Sequence, residues 1–192
     1  MQFFKRLLLL SVVAGSLMSF SGKAYATNAR FILGADFLSS EIKYSDSRKS
    51  KKANPDFVEV KDNFKSGAAV IGIGAYGISL EAYILNSGSV KKDSLSSKLR
   101  AYGFDVIGEA SLSDNFSFLA SLGLAEYTIK TQRKGLSKED RNDGPRLGIG
   151  LQYYLSRNMA LRLMYHYTLL NSGEDERYKA ISEFSAGVRF MF

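Results

Sequence analysis

The chain has 192 residues, a formal charge of +7, a single His and no Cys. Without Cys it can carry neither a disulfide framework nor a thiolate metal site nor a lipidated N-terminal Cys. One His cannot build a His-rich zinc site, and no metal or cofactor is expected.

The N-terminus does not read as part of a fold. Lys5 and Arg6 precede an apolar and small-residue run from Leu7 to Phe20. Ala24-Tyr25-Ala26 then supplies small side chains at the two positions where signal peptidase tolerates nothing larger. Residues 1–26 are therefore expected to be a cleavable signal peptide. A membrane anchor would need roughly 20 apolar residues, and this run ends at Ser21, Gly22 and Lys23. Residues 27–192 are expected to form one domain. Lys5, Arg6 and Lys23 carry three of the seven excess charges, so the mature chain has a modest +4. Neither that charge nor an exported destination suits a nucleic-acid partner.

After Ala26 no apolar stretch is long enough for a membrane helix, but short alternating segments recur. Arg30–Ser40 sets Phe31, Leu33, Ala35 and Phe37 against Gly34 and Asp36. Phe64–Gly74 is rich in Gly and Ala. Ile78–Leu85 sets Ile78, Leu80 and Ile84 against Ser79, Glu81 and Tyr83. Leu99–Ala110 sets Tyr102, Phe104 and Val106 against Gly103, Asp105 and Glu109. Phe116–Lys130 sets Phe116, Phe118, Leu122 and Leu124 against Ser117, Ser121 and Gly123. Three segments remain. Leu147 to Leu155 opposes Arg146, Gly148, Gly150 and Gln152. Leu161 to Leu169 opposes Arg162, Met164, His166 and Thr168. Phe184, Ala186, Val188, Phe190 and Phe192 oppose Glu183, Ser185, Gly187, Arg189 and Met191. Successive strand residues face opposite ways, so each segment is a strand with one apolar and one small or polar face.

The connections alternate in length. Ala75–Gly77, Leu112–Asn115 and Ser156–Asn158 are short; Lys43–Asn63, Asn86–Lys98, Thr131–Gly144 and Asn171–Lys179 are long and polar. Gly and Pro, including Pro145, are expected in loops or where strands begin. Short turns at one end and long loops at the other are the layout of outer-membrane barrels. A soluble barrel would put its polar face in water, yet that face is small and poor in Lys and Glu. The expected fold is all-β: an eight-stranded antiparallel up-and-down transmembrane β-barrel, monomeric, in the bacterial outer membrane, with lipid and lipopolysaccharide around it.

Three stretches carry a resemblance. They are Gly148-x-Gly150-x-x-Tyr153-x-Leu155-Ser156-x-Asn158-x-Ala160-Leu161-Arg162-x-x-Tyr165-x-Tyr167, Ser79-Leu80-Glu81-Ala82-Tyr83, and the closing Gly187-Val188-Arg189-Phe190-Met191-Phe192. Together they resemble the OmpA-type and opacity-protein-like small outer-membrane barrels. The resemblance implies that the last strand, with Phe184, Val188, Phe190 and Phe192, is the sorting signal read by the barrel-assembly machinery. With Phe192 last, it is expected to extend to the barrel of OmpA and not to a peptidoglycan-binding domain.

Eight strands enclose a lumen that side chains can fill. Charges there must be paired. The inward parity selects Asp36, Glu81, Asp105, Glu109 and Glu183 as acids, and Arg146, Arg162 and Arg189 as bases, with Arg30 near the periplasmic end. They are expected to form an ion-pair network with Arg162 and Arg189 as hubs and Glu81 as their main partner. The resemblance implies a plug of the same kind. A gated pore in which the pairs exchange partners is the alternative. Gly72-x-Gly74 and Gly148-x-Gly150 read as space for packing rather than as phosphate loops.

His166, Thr168 and Glu183 raise the question of an enzyme. The His-x-Thr pair with a neighbouring Glu resembles the His-x-Ser and Glu triad of the lipid A deacylases. Thr stands in place of Ser, Leu169 in place of the following Asn, and His166 is expected to face the lumen. No catalysis is expected. The long loops are basic, with Arg48, Lys49, Lys51 and Lys52 in the first and Lys91 and Lys92 in the second. They could hold host glycosaminoglycans or lipopolysaccharide phosphates, or simply be solvated. The functional expectation is thus a structural or surface-antigen barrel, adhesive through its loops. Mass spectrometry of the protein from the outer-membrane fraction should find Thr27 at the N-terminus; an intact Met1–Ala26 segment there would contradict the cleavage.

Overall fold

The computed structural model describes residues 29–44, 63–92, 95–133, 136–171 and 178–192. Among the described residues nine strands form: β1 (Arg30–Tyr44), β2 (Phe64–Ala75), β3 (Ile78–Ser87), β4 (Val90–Lys92), β5 (Leu95–Ser111), β6 (Phe116–Arg133), β7 (Leu136–Ser156), β8 (Met159–Leu169) and β9 (Tyr178–Met191). Eight of them close a barrel. Its order runs β3-β2-β1-β9-β8-β7-β6-β5, and β3 pairs with β5 to complete the ring. Every pairing is antiparallel. The small strand β4 pairs with β5, at the far end of that strand. The first and last strands meet along thirteen register pairs, from Ile32↔Met191 to Tyr44↔Tyr178. Beyond them the backbones of Phe31 and Phe192 exchange two hydrogen bonds, of 3.0 and 2.9 Å.

Local chemistry fixes the turns. Tyr76 and Gly77 lie between β2 and β3 with φ of 53° and 75°. Two consecutive positive φ values match the right-handed twist of the flanking strands in a tight hairpin. Gly accepts this conformation at no steric cost, and the strands around it are held by ten register pairs. The β5–β6 and β7–β8 connections are also short and lie at this same end, which is the periplasmic one in an outer-membrane barrel.

The outer surface carries an apolar belt. Phe37, Ile71, Ile84, Leu122, Ile149, Leu163 and Phe184 are all exposed there, which suits lipid and would be a liability in water. Above this belt, toward the long-loop end, the polarity of the wall reverses. On β5, Lys98 and Arg100 are exposed while Leu99 between them is 0% exposed. On β6, Lys130 is exposed while Tyr127 and Ile129 are buried. On β1, Glu41 and Lys43 are exposed and Ile42 is buried. The inward side chains here form one cluster that includes Ile42, Phe64, Leu85, Leu99, Ile129 and Ile181. The same sheet thus behaves as a membrane barrel in its lower part and as a soluble barrel in its upper part.

Several sequence expectations are corrected. Thr131–Gly144 is not a loop: β6 and β7 run on through it, paired as far as Arg133↔Leu136. These strands have 18 and 21 residues, against the roughly 9–11 that cross a bilayer at a tilt, so they project well beyond it. Part of Asn86–Lys98 is likewise a hairpin, between β4 and β5. Pro145 lies inside β7, opposite Leu124. It is tolerated because the ladder on the β8 side is interrupted there, between Arg146↔Thr168 and the isolated bridge Asp143↔Asn171. The expected small or polar interior holds only in the lower part, since the upper lumen is apolar. Leu99→Ala should therefore cost about 2–5 kcal/mol in urea unfolding of the refolded protein, while Lys98→Ala changes stability by less than ~0.5 kcal/mol.

Candidate functional site: the lumenal ion-pair network

Below the apolar cluster, alternate residues of six strands point charges into the lumen. They gather in two tiers. In the tier nearer the periplasm, Arg162 Nη1 donates to both carboxylate oxygens of Glu81, at 2.7 and 2.9 Å. Its Nε donates to Gln152 Oε1 at 2.8 Å. Arg189 Nε donates to the other side of Glu81 at 3.2 Å. The terminal nitrogens of Arg189 hold Asp36 in a fork, at 2.6 and 2.9 Å. Glu81 therefore bridges two guanidiniums, and such charge-assisted, bidentate contacts are the strong kind.

The upper tier is built on Arg146. Its Nη1 donates to Asp105 Oδ2 at 2.7 Å and its Nη2 to Glu183 Oε2 at 2.9 Å. The guanidinium also lies over the Tyr83 ring, 4.4 Å from its centroid. Glu183 is completely buried and is satisfied by further donors, Tyr127 Oη at 2.9 Å and Ser40 Oγ at 3.2 Å. Glu81 and Asp105 sit directly opposite each other on β3 and β5. Two carboxylates at that spacing repel, and each is turned to a different guanidinium.

Glycines make room for these groups. A Cβ on Gly187 would collide with the Asp36 carboxylate, and one on Gly34 would approach Arg189 Cδ to 2.6 Å. Gly72 lies against Glu81, and Gly148 against His166 and Ser121, so these Gly pairs serve side-chain packing.

Seven of the residues selected by inward parity are thus brought together: Asp36, Glu81, Asp105, Arg146, Arg162, Glu183 and Arg189. Glu109 stands apart, correcting its expected place in the network. It accepts a 2.6 Å hydrogen bond from Tyr154 Oη in a periplasmic vestibule of about 370 Å3 that Arg30 also lines. Arg162 lies at the inner end of this vestibule. At the level of the two tiers the void is only about 30 Å3, space for one or two waters. Parity also held Tyr127, Ser40, Gln152 and Tyr83, which sequence reasoning did not single out. Extending the alternation of β6 past Gly123 would have reached Tyr127.

His166, Thr168 and Glu183 are neighbours, with His166↔Glu183 in register, but they are not wired as a triad. Neither ring nitrogen of His166 has a hydrogen-bond partner, and its Nε2 lies 3.8 Å from Asp105 Oδ2. The Thr168 hydroxyl pairs with Tyr127 Oη at 3.2 Å. All three are buried inside the wall. Among the described residues no group of three or more His, Cys, Asp or Glu is placed to hold a metal. Phe184, Phe190 and Phe192 are exposed on the outside of β9, on the parity of Val188. Arg48, Lys49, Lys51 and Lys52 lie outside the described residues; Lys91 and Lys92 fall on β4. Replacing Arg162 by Ala should strip Glu81 of its closest cation and cost about 3–5 kcal/mol in unfolding free energy, read as a lower urea midpoint with the slope unchanged.

Comparison with known proteins agrees with this architecture. No curated protein is similar to the chain in sequence. Neisserial surface protein A superposes with a TM-score of 0.68 at 17% identity, over 84% of this chain and 97% of that one. Ail, the attachment invasion locus protein of Yersinia pestis, in complex with the heparin analogue sucrose octasulfate, gives 0.61 at 13% identity, over 86% and 100%. The N-terminal β-barrel domain of Pseudomonas aeruginosa OprF gives 0.53 at 15% identity, over 84% and 97%. The outer membrane protein beta-barrel domain family matches residues 7–192. The chain belongs to that family, and its place is the bacterial outer membrane.

Proposed function

We propose that the protein is a non-enzymatic surface barrel that displays long basic loops outside the cell and binds polyanions through them. The observation that carries this reading is the filled lumen. Two tiers of buried ion pairs and an apolar cluster above them occupy its interior, which leaves the outer loops as the part available for a ligand. The void of about 30 Å3 at the ion pairs speaks against an open pore. The missing hydrogen bond between His166 and a hydroxyl, together with burial behind the wall, speaks against a deacylase, because a hydroxyl nucleophile needs a base beside it.

The loop chemistry supports polyanion binding. Arg48, Lys49, Lys51 and Lys52 fall within five residues, a density that attracts sulfated sugars and phosphates. A barrel of the same fold, Ail, has been captured with a heparin analogue. On this reading residues 1–26 are removed during export, the barrel-assembly machinery receives the strand ending at Phe192, and the folded chain works as a monomer. Refolded protein should be retained on immobilised heparin and elute at clearly lower salt once Arg48, Lys49, Lys51 and Lys52 are all Ala. Elution at unchanged salt would overturn the adhesive reading.

A further inference from the structure

The outer wall above the apolar belt carries a second basic feature, separate from the loops. Outward parity on β5, β6 and β7 places Arg100, Thr128 and Arg141 in one row across the three strands. The next row up is Lys98, Lys130 and Glu139. Four cations and one carboxylate thus occupy six adjacent positions on the outside of the sheet. They line a groove of about 290 Å3.

The pairing in this array is lopsided. Glu139 is engaged by Arg141, whose Nε and Nη2 donate to its Oε1 at 3.1 and 3.0 Å. Lys98, Arg100 and Lys130 make no salt bridge among the described residues. Lys98 and Lys130 are direct register partners on neighbouring strands, an arrangement that repels and destabilises unless an anion lies between them. Lys43, on the opposite wall, is different: its ammonium lies over the Tyr167 ring, 5.2 Å from the centroid.

Height identifies the occupant. Directly below the basic rows come Tyr102, Glu126 and Asp143. Below these come the outward-facing Phe104, Leu124 and Pro145, and then Val106, Leu122 and Leu147. The apolar rows contact acyl chains. Lys98 lies four residues beyond Tyr102, about 9 Å higher along the barrel axis for a strand tilted near 45°. That is the level of headgroups, and a cation facing sideways there meets a lipid before it meets a soluble partner. In an outer membrane the outer-leaflet headgroup is a phosphorylated glucosamine disaccharide.

We propose that Lys98, Arg100 and Lys130 form a binding groove for a phosphate group of an outer-leaflet lipid A molecule, with Arg141 held beside it by Glu139 and the lipid's acyl chains lying down the apolar rows of β5–β7. The groove uses none of the loop lysines, so it stands or falls apart from the adhesive reading.

The test uses refolded full barrel in a neutral maltoside detergent, with binding followed by native mass spectrometry. Bisphosphorylated lipid A should bind the wild type and bind Lys98→Gln/Lys130→Gln about thirtyfold more weakly, given about 1 kcal/mol per basic residue near a charged membrane surface. Dephosphorylated lipid A should bind weakly, and equally to both. Arg48, Lys49, Lys51 and Lys52 changed to Ala should leave lipid A affinity unchanged. Equal affinity of wild type and variant for the phosphorylated lipid overturns the groove. So does displacement of the lipid by an equal concentration of inorganic phosphate, which would assign the groove to free anions. A heat-modifiable gel shift checks that each variant is folded. If the double variant lacks that shift, Lys130→Gln alone is held to the same comparison, with a weakening of about fivefold expected and an unchanged affinity overturning the groove.

Discussion

Everything in this molecule follows from one constraint: inside lipid, each backbone N–H and C=O must find its partner within the protein. A sheet meets it only by closing, and closure here rests on two seams. One joins β3 to β5 across the small excursion of β4. The other joins the first strand to the last, ending in the exchange of hydrogen bonds between Phe31 and Phe192. Once eight strands are closed, the width of the lumen is set, and it is a width that side chains must fill.

The protein fills it with two kinds of chemistry, stacked. Within the membrane-spanning part, four carboxylates share three guanidiniums, and Tyr127, Ser40 and Gln152 supply further hydrogen bonds. Removing both charges of a buried pair can be nearly neutral, whereas removing one is costly. The network therefore acts as a set of mutual obligations that fix which strands meet at which register. Higher up, Leu85, Leu99, Ile129 and Ile181 fill the same cylinder with aliphatic packing. The change-over coincides with the reversal on the outside, where Tyr102 gives way to Arg100 and Lys98. Lipid outside permits a polar inside; water outside calls for an apolar one.

Much of this was legible in the sequence, for a physical reason. Period-two alternation is strong where one face meets lipid, so the eight strands and the inward parity of Asp36, Glu81, Arg162 and Arg189 can be read directly. The turn at Tyr76-Gly77 is short enough to announce itself. Partnership within the lumen is another matter. Arg189 and Asp36 are 153 residues apart, and only the closed register shows that they touch. Glu109 has the same parity as the network but lies too near the periplasmic rim to join it. The last residues of β6 and the outer half of β7 were illegible for a different reason. Ser137 to Asp143 is Lys-, Asp- and Glu-rich, the composition of a loop, and its strand identity comes from pairing with Glu126 to Gln132 rather than from alternation.

The central claim is that the barrel is sealed by its own side chains. Purified, refolded protein inserted into a planar bilayer at neutral pH tests it most directly. The account predicts a membrane that stays electrically silent apart from brief, irregular events. A large, steady, ohmic conductance from the correctly folded protein would contradict it.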